Sequence, residues 1–328
     1  MSKRENDYRV ENLIGQISPY FIRVKKSDLK IPDATVHPPI VVPMKEKQRQ
    51  IYDFIEQKYI KDISDPNDKL FKSSVTKARI IRLMQAATNP LLLKQPLSDF
   101  AKMEGINITE VEEDDSILQT ILQYSDDEIP AKFETAKELV SHIITEGGKV
   151  VIWACYIKTI EYLSAFLSAQ GIYNKILYGD TPVASDEITP ESEEYSLTRE
   201  AIIKEFNDVT SGLNVIIANP FAVAESISLH KACHNAIYIE RSFNAAHFIQ
   251  SKDRIHRYGL PEGTQTNYYY LVSENSIDET IDERLFVKEQ RLIEIMEKMP
   301  IPLFSNVSDG GDEDVKAVLR DYARRIKT

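Results

Sequence analysis

Two arginines, a glutamine and a histidine stand at helical spacing near the middle of the second half of this chain. Read as one helix with the residues just before it, the run Gln250 to Gly259 (QSKDRIHRYG) puts His247, Gln250, Arg254 and Arg257 on a single stripe at i, i+3, i+7 and i+10. Ala245, Phe248, Ile249 and Ile255 fall on the opposite face, where they can pack on a sheet. Gly259 and Pro261 supply the stop signal. Guanidinium stays charged and binds oxyanions bidentately, so such a stripe can present fixed positive charge to a phosphate. A solvated polar face would have the same periodicity, and spacing alone leaves both readings open.

The elements that would position this stripe are legible around it. Residues 1 to about 105 have helical periodicity and little glycine, with an amphipathic stretch over 44–60 and another over 75–88 that ends at Asn89-Pro90. Residues 106–130 are acidic and poorly patterned, which suits a connection. From Ala131 helices alternate with short apolar runs: 149–154, 176–178, 214–218, 235–240 and 266–272 each read as a strand. A long final helix starts at the capping box Ser276-Ile277-Asp278-Glu279 and runs to about Lys298. The pattern predicts an α/β fold with a mostly parallel sheet covered by helices on both faces. The division expected is a helical subdomain over 1–105, the linker 106–130, an α/β lobe over 131–300 and a tail with a short helix over 301–328.

Composition narrows the class. The 328 residues carry a net charge of −11, which excludes a wholly basic nucleic-acid coat but not a local basic track. Much of the acidity sits in Glu110–Asp115, Asp126–Glu128 and Asp309–Asp314, which read as solvated linkers or tails. Cys155 and Cys233 in apolar surroundings fit a reducing cytoplasm. There is no apolar run of bilayer length and the N-terminus is not a signal peptide, so a cytoplasmic location without membrane contact is expected.

In open α/β sheets ligands sit at the carboxyl ends of strands. Three loops leave such ends here: Ala154–Lys158, Tyr178–Pro182 and Ala218–His230. These loops, the Ser242-Phe243-Asn244 triplet and the arginine run occur in an order and at distances that resemble the second ATPase lobe of Swi/Snf-related DNA translocases, within superfamily-two helicases. The N-terminal part resembles the family too: SPYFIRVKK at 18–26 is similar to the entry of its helical protrusion, and LMQAATNPLLL at 83–93 to a following helix. The resemblance covers nearly all of residues 10–300.

That resemblance implies a RecA-like lobe acting with ATP and Mg²⁺, both bound mainly by a first RecA-like lobe supplied in cis or in trans. Arg254 and Arg257 match the family's two motif-six arginines, one or both reaching the γ-phosphate as an arginine finger does, and Gln250 matches the glutamine that opens that motif. Glu225 and Ser226 lie where motif five couples nucleotide state to nucleic-acid contact. Asn219, Tyr156, Lys158 and Thr181 lie in loops that face double-stranded DNA in relatives. One departure is the motif-five run VAESISL at 223–229, where eukaryotic remodellers are glycine-rich; this style resembles prokaryotic members, whose processes extend to defence against phage. The implied activity is that of the C-terminal lobe of an ATP-dependent double-stranded DNA translocase. The alternatives are a non-catalytic module recruiting protein partners through the helical subdomain, and the lobe of a strand-separating helicase or restriction-type motor.

Several local patterns are read as decoys. Gly147-Gly148-Lys149-Val150 lacks the hydroxyl residue of a phosphate loop, and its lysine begins a strand instead of following one. Asp127-Glu128-Ile129-Pro130 mimics an acidic metal-holding motif but follows no buried strand. Without either motif the chain is expected to be inactive by itself. His230-Lys231-Ala232-Cys233-His234 offers metal donors but no partner cluster, and a structural core role is expected. Tyr268-Tyr269-Tyr270 is read as strand before base-stacking platform, and Lys77, Arg79 and Arg82 as a basic helix surface or a solvated face.

Overall fold

The computed structural model describes residues 26–29, 31–61, 73–94, 128–185, 192–223, 227–242, 245–260, 262–298 and 312–327, with residues 12, 15, 16, 121 and 124. Two short strands, β1 (Thr35–Val36) and β2 (Ile40–Val42), precede helices α1 (Glu46–Lys61) and α2 (Ser73–Thr88). Then come α3 (Ala131–Thr145), β3 (Val150–Trp153), α4 (Ile157–Ala169), β4 (Asn174–Leu177), α5 (Arg199–Asn207) and β5 (Val215–Ala218). The one-turn α6 (Pro220–Val223), β6 (Asn235–Tyr238), α7 (Ala245–Lys252), β7 (Asn267–Ser273), α8 (Ile277–Lys298) and α9 (Asp312–Lys327) follow.

All pairings are parallel, in the order β1-β7-β6-β3-β5-β4, with β2 pairing the second half of β7. The five apolar runs read from the sequence become β3 to β7, because a strand buried on both faces needs an uninterrupted hydrophobic run. Within β3 the side chains alternate: Val151 and Trp153 enter one core with Phe206, Ile216 and Tyr238, while Val150 and Ile152 enter another with Val140, Ile143, Ile160 and Leu163.

A third core is helical. It joins α1 and α2 to α8 and α9 and reaches Cys155 and Tyr156, just past the end of β3. Two findings differ from the organisation read in the sequence. Residues 35–42, placed there with the N-terminal helices, are taken up by the sheet beside β7. The tail helix α9 is longer than expected and docked, burying Val318, Leu319 and Tyr322 and pairing Arg284 with Asp321 at 2.5 Å. Tyr322 also bonds Tyr52 and Glu56 of α1. Both partnerships span more than 200 residues, beyond the reach of a local pattern. The entry resemblance at 18–25 and most of the linker 106–130 lie outside the described residues.

Two decoys have structural work. The Lys149 ammonium donates to the carbonyls of Phe206, Asp208 and Leu213 at 2.8, 2.8 and 3.0 Å, closing the C-terminus of α5, where positive charge meets the orphan carbonyls. The Glu128 carboxylate accepts from the N–H groups of Lys47 and Gln48 at 3.0 and 2.9 Å, closing the N-terminus of α1. At α8 the capping box is realised one residue out of step: Ser276 Oγ accepts from Asp278 N, and Glu279 takes the N–H of Asn275. Among the described residues no helix is long and apolar enough to cross a membrane.

Candidate functional site

The candidate residues gather on one edge of the sheet. Tyr156 and Lys158 follow β3, Thr181 follows β4, Asn219 follows β5, and the arginine segment follows β6. This is the carboxyl edge of parallel strands, where helix N-termini and loop backbones are free to meet a ligand.

The arginine segment departs from its expected form. The helix stops at Lys252, so Arg254 and Arg257 do not continue the stripe of His247 and Gln250. Residues 253–260 run as successive turns, with Arg254 N donating to Ser251 O at 3.2 Å and Ile255 N to Lys252 O at 3.3 Å. The reason is what the turns pack against. Ile255 is fully buried in the sheet core, and Leu229 N donates to Arg254 O at 3.0 Å. Arg254 Nη1 donates to Ile227 O at 3.3 Å. Gly259 has φ +94°, and a Cβ there would stand 3.2 Å from Nε2 of His230, so glycine serves both the left-handed turn and the close approach. Arg254 is therefore stitched to the loop 227–230 as well as to the last turn of α7, and the segment leaves the helical line there. Arg254 is half-buried and Arg257 exposed.

His230 lies under this seam. Ser228 Oγ is 2.9 Å from its Nδ1, and burial, with the Arg257 guanidinium beside it, lowers its pKa below the ordinary imidazole range. Within 230–234 both His230 and Cys233 are buried, and desolvation pushes the Cys233 thiol up to about 12.

The four residues read as facing DNA are placed less uniformly. Asn219 is fully buried; its Nδ2 donates to Cys155 O at 2.8 Å and its Oδ1 accepts from Phe221 N at 2.8 Å, so it ties the end of β5 to the end of β3. Thr181 is 8% exposed, and its Oγ1 accepts from Tyr178 N at 3.0 Å, closing its own turn. Tyr156 is buried in the helical core. The side chains of these three shape loops and offer no surface. Lys158 alone of the four presents its head outward, 2.6 Å from Glu161, whose hydrogen bond raises the ammonium pKa. Glu225 and Ser226 lie outside the described residues. Gln250 is half-buried on α7. Tyr268 and Tyr270 are buried and Arg82 is bonded to Leu93 O, so neither the stacking platform nor an Arg82 surface is formed.

One buried acid escaped the sequence reading. Glu240, just past β6, is fully desolvated, which pushes its pKa up to about 8; the Thr159 hydroxyl and the Lys132 ammonium counter only part of the effect. It lines a small cavity with Cys155, Phe221, Arg241, His247 and Ser251. No local signal marks it, since an acid ending a strand reads as a loop residue. Its folded pKa lies above the ordinary value of 4.5, so the folded state holds this proton more tightly than the unfolded state does. The stabilising contribution is complete below about pH 4.5 and is lost as pH rises through about 8. Urea titrations should therefore show Glu240→Gln gaining on the wild type by on the order of 5 kcal/mol between those limits. A pH-independent difference would place the charge outside the core.

No family model matches the chain. Two curated proteins are similar to it: chromatin remodeling factor mit1 of Schizosaccharomyces pombe, 23% identical over 217 residues, and Switch 2 of Arabidopsis thaliana, 24% identical over 196. The matches cover 65 and 59% of this chain but span only 14 and 21% of those proteins. Among solved structures, the C-terminal part of the Fun30 ATPase domain superposes with a TM-score of 0.58 at 20% identity, covering 90% of this chain and 99% of that one. The Sulfolobus solfataricus SWI2/SNF2 ATPase core in complex with dsDNA gives 0.53 at 18% identity, covering 88% of this chain and 54% of that one. The C-terminal domain of the Sulfolobus ATPase by itself gives 0.53 at 14%, covering 90 and 98%. The fold is that of the C-terminal domains of SWI2/SNF2-type ATPases, a RecA-like α/β lobe.

Proposed function

We propose that this chain is the C-terminal lobe of an ATP-dependent double-stranded DNA translocase. The observation that carries the reading is the arginine segment held at the carboxyl edge of a parallel sheet, in a chain with this fold. Arg257, exposed and beside a histidine of lowered pKa, offers planar N–H donors to the γ-phosphate of ATP bound by a first RecA-like lobe. Arg254, tethered through Ile227 O, reports the position of the loop 227–230 and supports the same charge. Gln250, one turn earlier, completes the polar edge of the cleft.

A metal neutralises phosphate charge in this chemistry. In this reading Mg²⁺ is held mainly by the other lobe. Lys158 is the residue of this edge best placed to meet a DNA phosphate, while Asn219, Thr181 and Tyr156 position the loops around it. Closure of the two lobes around ATP would move this edge against the DNA backbone. The similarity to the Sulfolobus core solved in complex with dsDNA supports duplex DNA as the track.

The 328-residue chain alone is expected to show no Mg²⁺-dependent ATP hydrolysis above background, whereas the chain joined to its first lobe should turn over ATP with stimulation by duplex DNA. Hydrolysis by the isolated chain, or a joined protein indifferent to duplex DNA, would overturn the reading.

A further inference from the structure

Lys252 is the last residue of α7, at the point where the chain leaves the helix for the arginine turns, yet it is only 8% exposed. Lysine at a helix end ordinarily keeps its head in water. Here the ammonium is 2.5 Å from Glu289 Oε1 of α8 and stands over three rings, with Phe248, Tyr268 and Tyr270 centroids at 4.6, 5.2 and 5.6 Å. The other end of the residue is held as firmly. Its carbonyl accepts from Tyr268 Oη at 3.0 Å, Ile255 N at 3.3 Å and His256 N at 3.2 Å. A second cation flanks the same rings: Arg241 lies 4.5 Å from Tyr270 and 5.6 Å from Phe248 and pairs with Asp282. Asp282 and Glu289 are seven residues apart, so one face of α8 supplies both carboxylates.

Stability alone accounts poorly for such a device. The desolvation of a buried ion pair largely offsets its attraction, and apolar residues of similar volume serve a core as well. What the pair adds is direction, since a cation held between one carboxylate and three ring faces has a single favourable position. That position is the root of the segment carrying Arg254 and Arg257.

We propose that Lys252 and Glu289 are positioning residues that clasp the arginine segment to α8 and set where its two guanidiniums point. The proposal rests on the reading that those arginines act on the nucleotide. It implies that α8, which also carries α9 through Arg284 and Asp321, bears directly on the geometry of the cleft.

The test uses the complete ATPase and the double variant Lys252→Met/Glu289→Met, which removes both charges and leaves neither partner buried alone. Backbone amides of 254–257 should exchange about tenfold faster, with those of β3 and β5 unchanged. The value of kcat should fall about tenfold or more while KM for ATP stays within about twofold, as expected when a transition-state contact is misplaced and substrate binding is not. Unchanged exchange at 254–257 would overturn the clasp, and so would a double variant that fails to fold, since the pair would then serve the fold itself. Arg254→Ala and Arg257→Ala run in parallel separate the two claims. If they lose turnover while the double variant keeps its kcat, the clasp fails and the arginine reading stands. If the arginine variants themselves keep turnover, the functional reading fails.

Discussion

Replacing Arg257 with alanine in the complete ATPase is expected to lower ATP turnover by about 10³- to 10⁵-fold, the range for loss of an arginine finger, with unfolding unchanged. The two halves of that expectation have separate grounds. Arg257 is exposed, so its loss leaves no buried group unsatisfied and the fold should be indifferent to it. In the phosphoryl-transfer transition state charge spreads over oxygens that a planar guanidinium can meet with two N–H donors at once. Arg257→Lys should therefore recover little, since an ammonium is a point charge on a flexible stem. Arg254→Ala is expected to lose turnover to a comparable degree with a different structural signature. Its bond to Ile227 O would be lost, costing about 0.5–1.5 kcal/mol of stability measurable by urea denaturation. Should both alanine variants turn over ATP normally, neither residue is a finger and the segment is an ordinary turn.

The largest loss of stability is expected at Lys132. Its side chain is 1% exposed, and its ammonium lies 2.5 Å from Asp278 Oδ2 and 2.9 Å from Ile239 O. Asp278 also accepts from Ser273 N at 3.2 Å. The cluster joins the start of α3, the chain just past β6 and the first turn of α8, so it ties the sheet to the helical core. Removing one partner strands a buried charge. Lys132→Met and Asp278→Asn should each cost about 3–5 kcal/mol, while Lys132→Met/Asp278→Leu should cost well under the sum, because neither ion is then left alone. Urea midpoints of the three variants measure this. Single-variant costs under about 1 kcal/mol, or strict additivity, would show that the pair is not coupled.

The elements of the sheet were legible because a parallel strand covered on both faces needs a continuous apolar run, and Val150–Trp153 or Val215–Ala218 could fill that role in any tertiary setting. Helix starts were legible where side chains cap their own backbone, as at Ser276, since a cap is local chemistry. The arginine segment was legible as residue types and not as geometry. Helical periodicity extended α7 through Arg257, but Ile255 is drawn into the core and Arg254 to the loop 227–230, and those contacts end the helix at Lys252. Asn219 and Thr181 were expected to face DNA because they lie in loops that do so in the family the chain resembles, whereas both spend polar atoms on backbone groups nearby.

By itself, the sequence determined the five strands β3 to β7 and the helices between them, that the sheet is mostly parallel, and that two arginines follow the strand ending at Tyr238, because each follows from periodicity, capping or order along the chain. Only the tertiary structure decided that residues 35–42 belong to the sheet, that α9 closes the helical core, that Glu128 and Lys149 end helices instead of holding phosphate or metal, and that Lys252 is buried against Glu289. Those outcomes depend on which distant groups share a low-dielectric interior. A buried charge or an orphaned backbone group is satisfied by whatever partner the fold brings within hydrogen-bond reach, and that partner is absent from the local pattern.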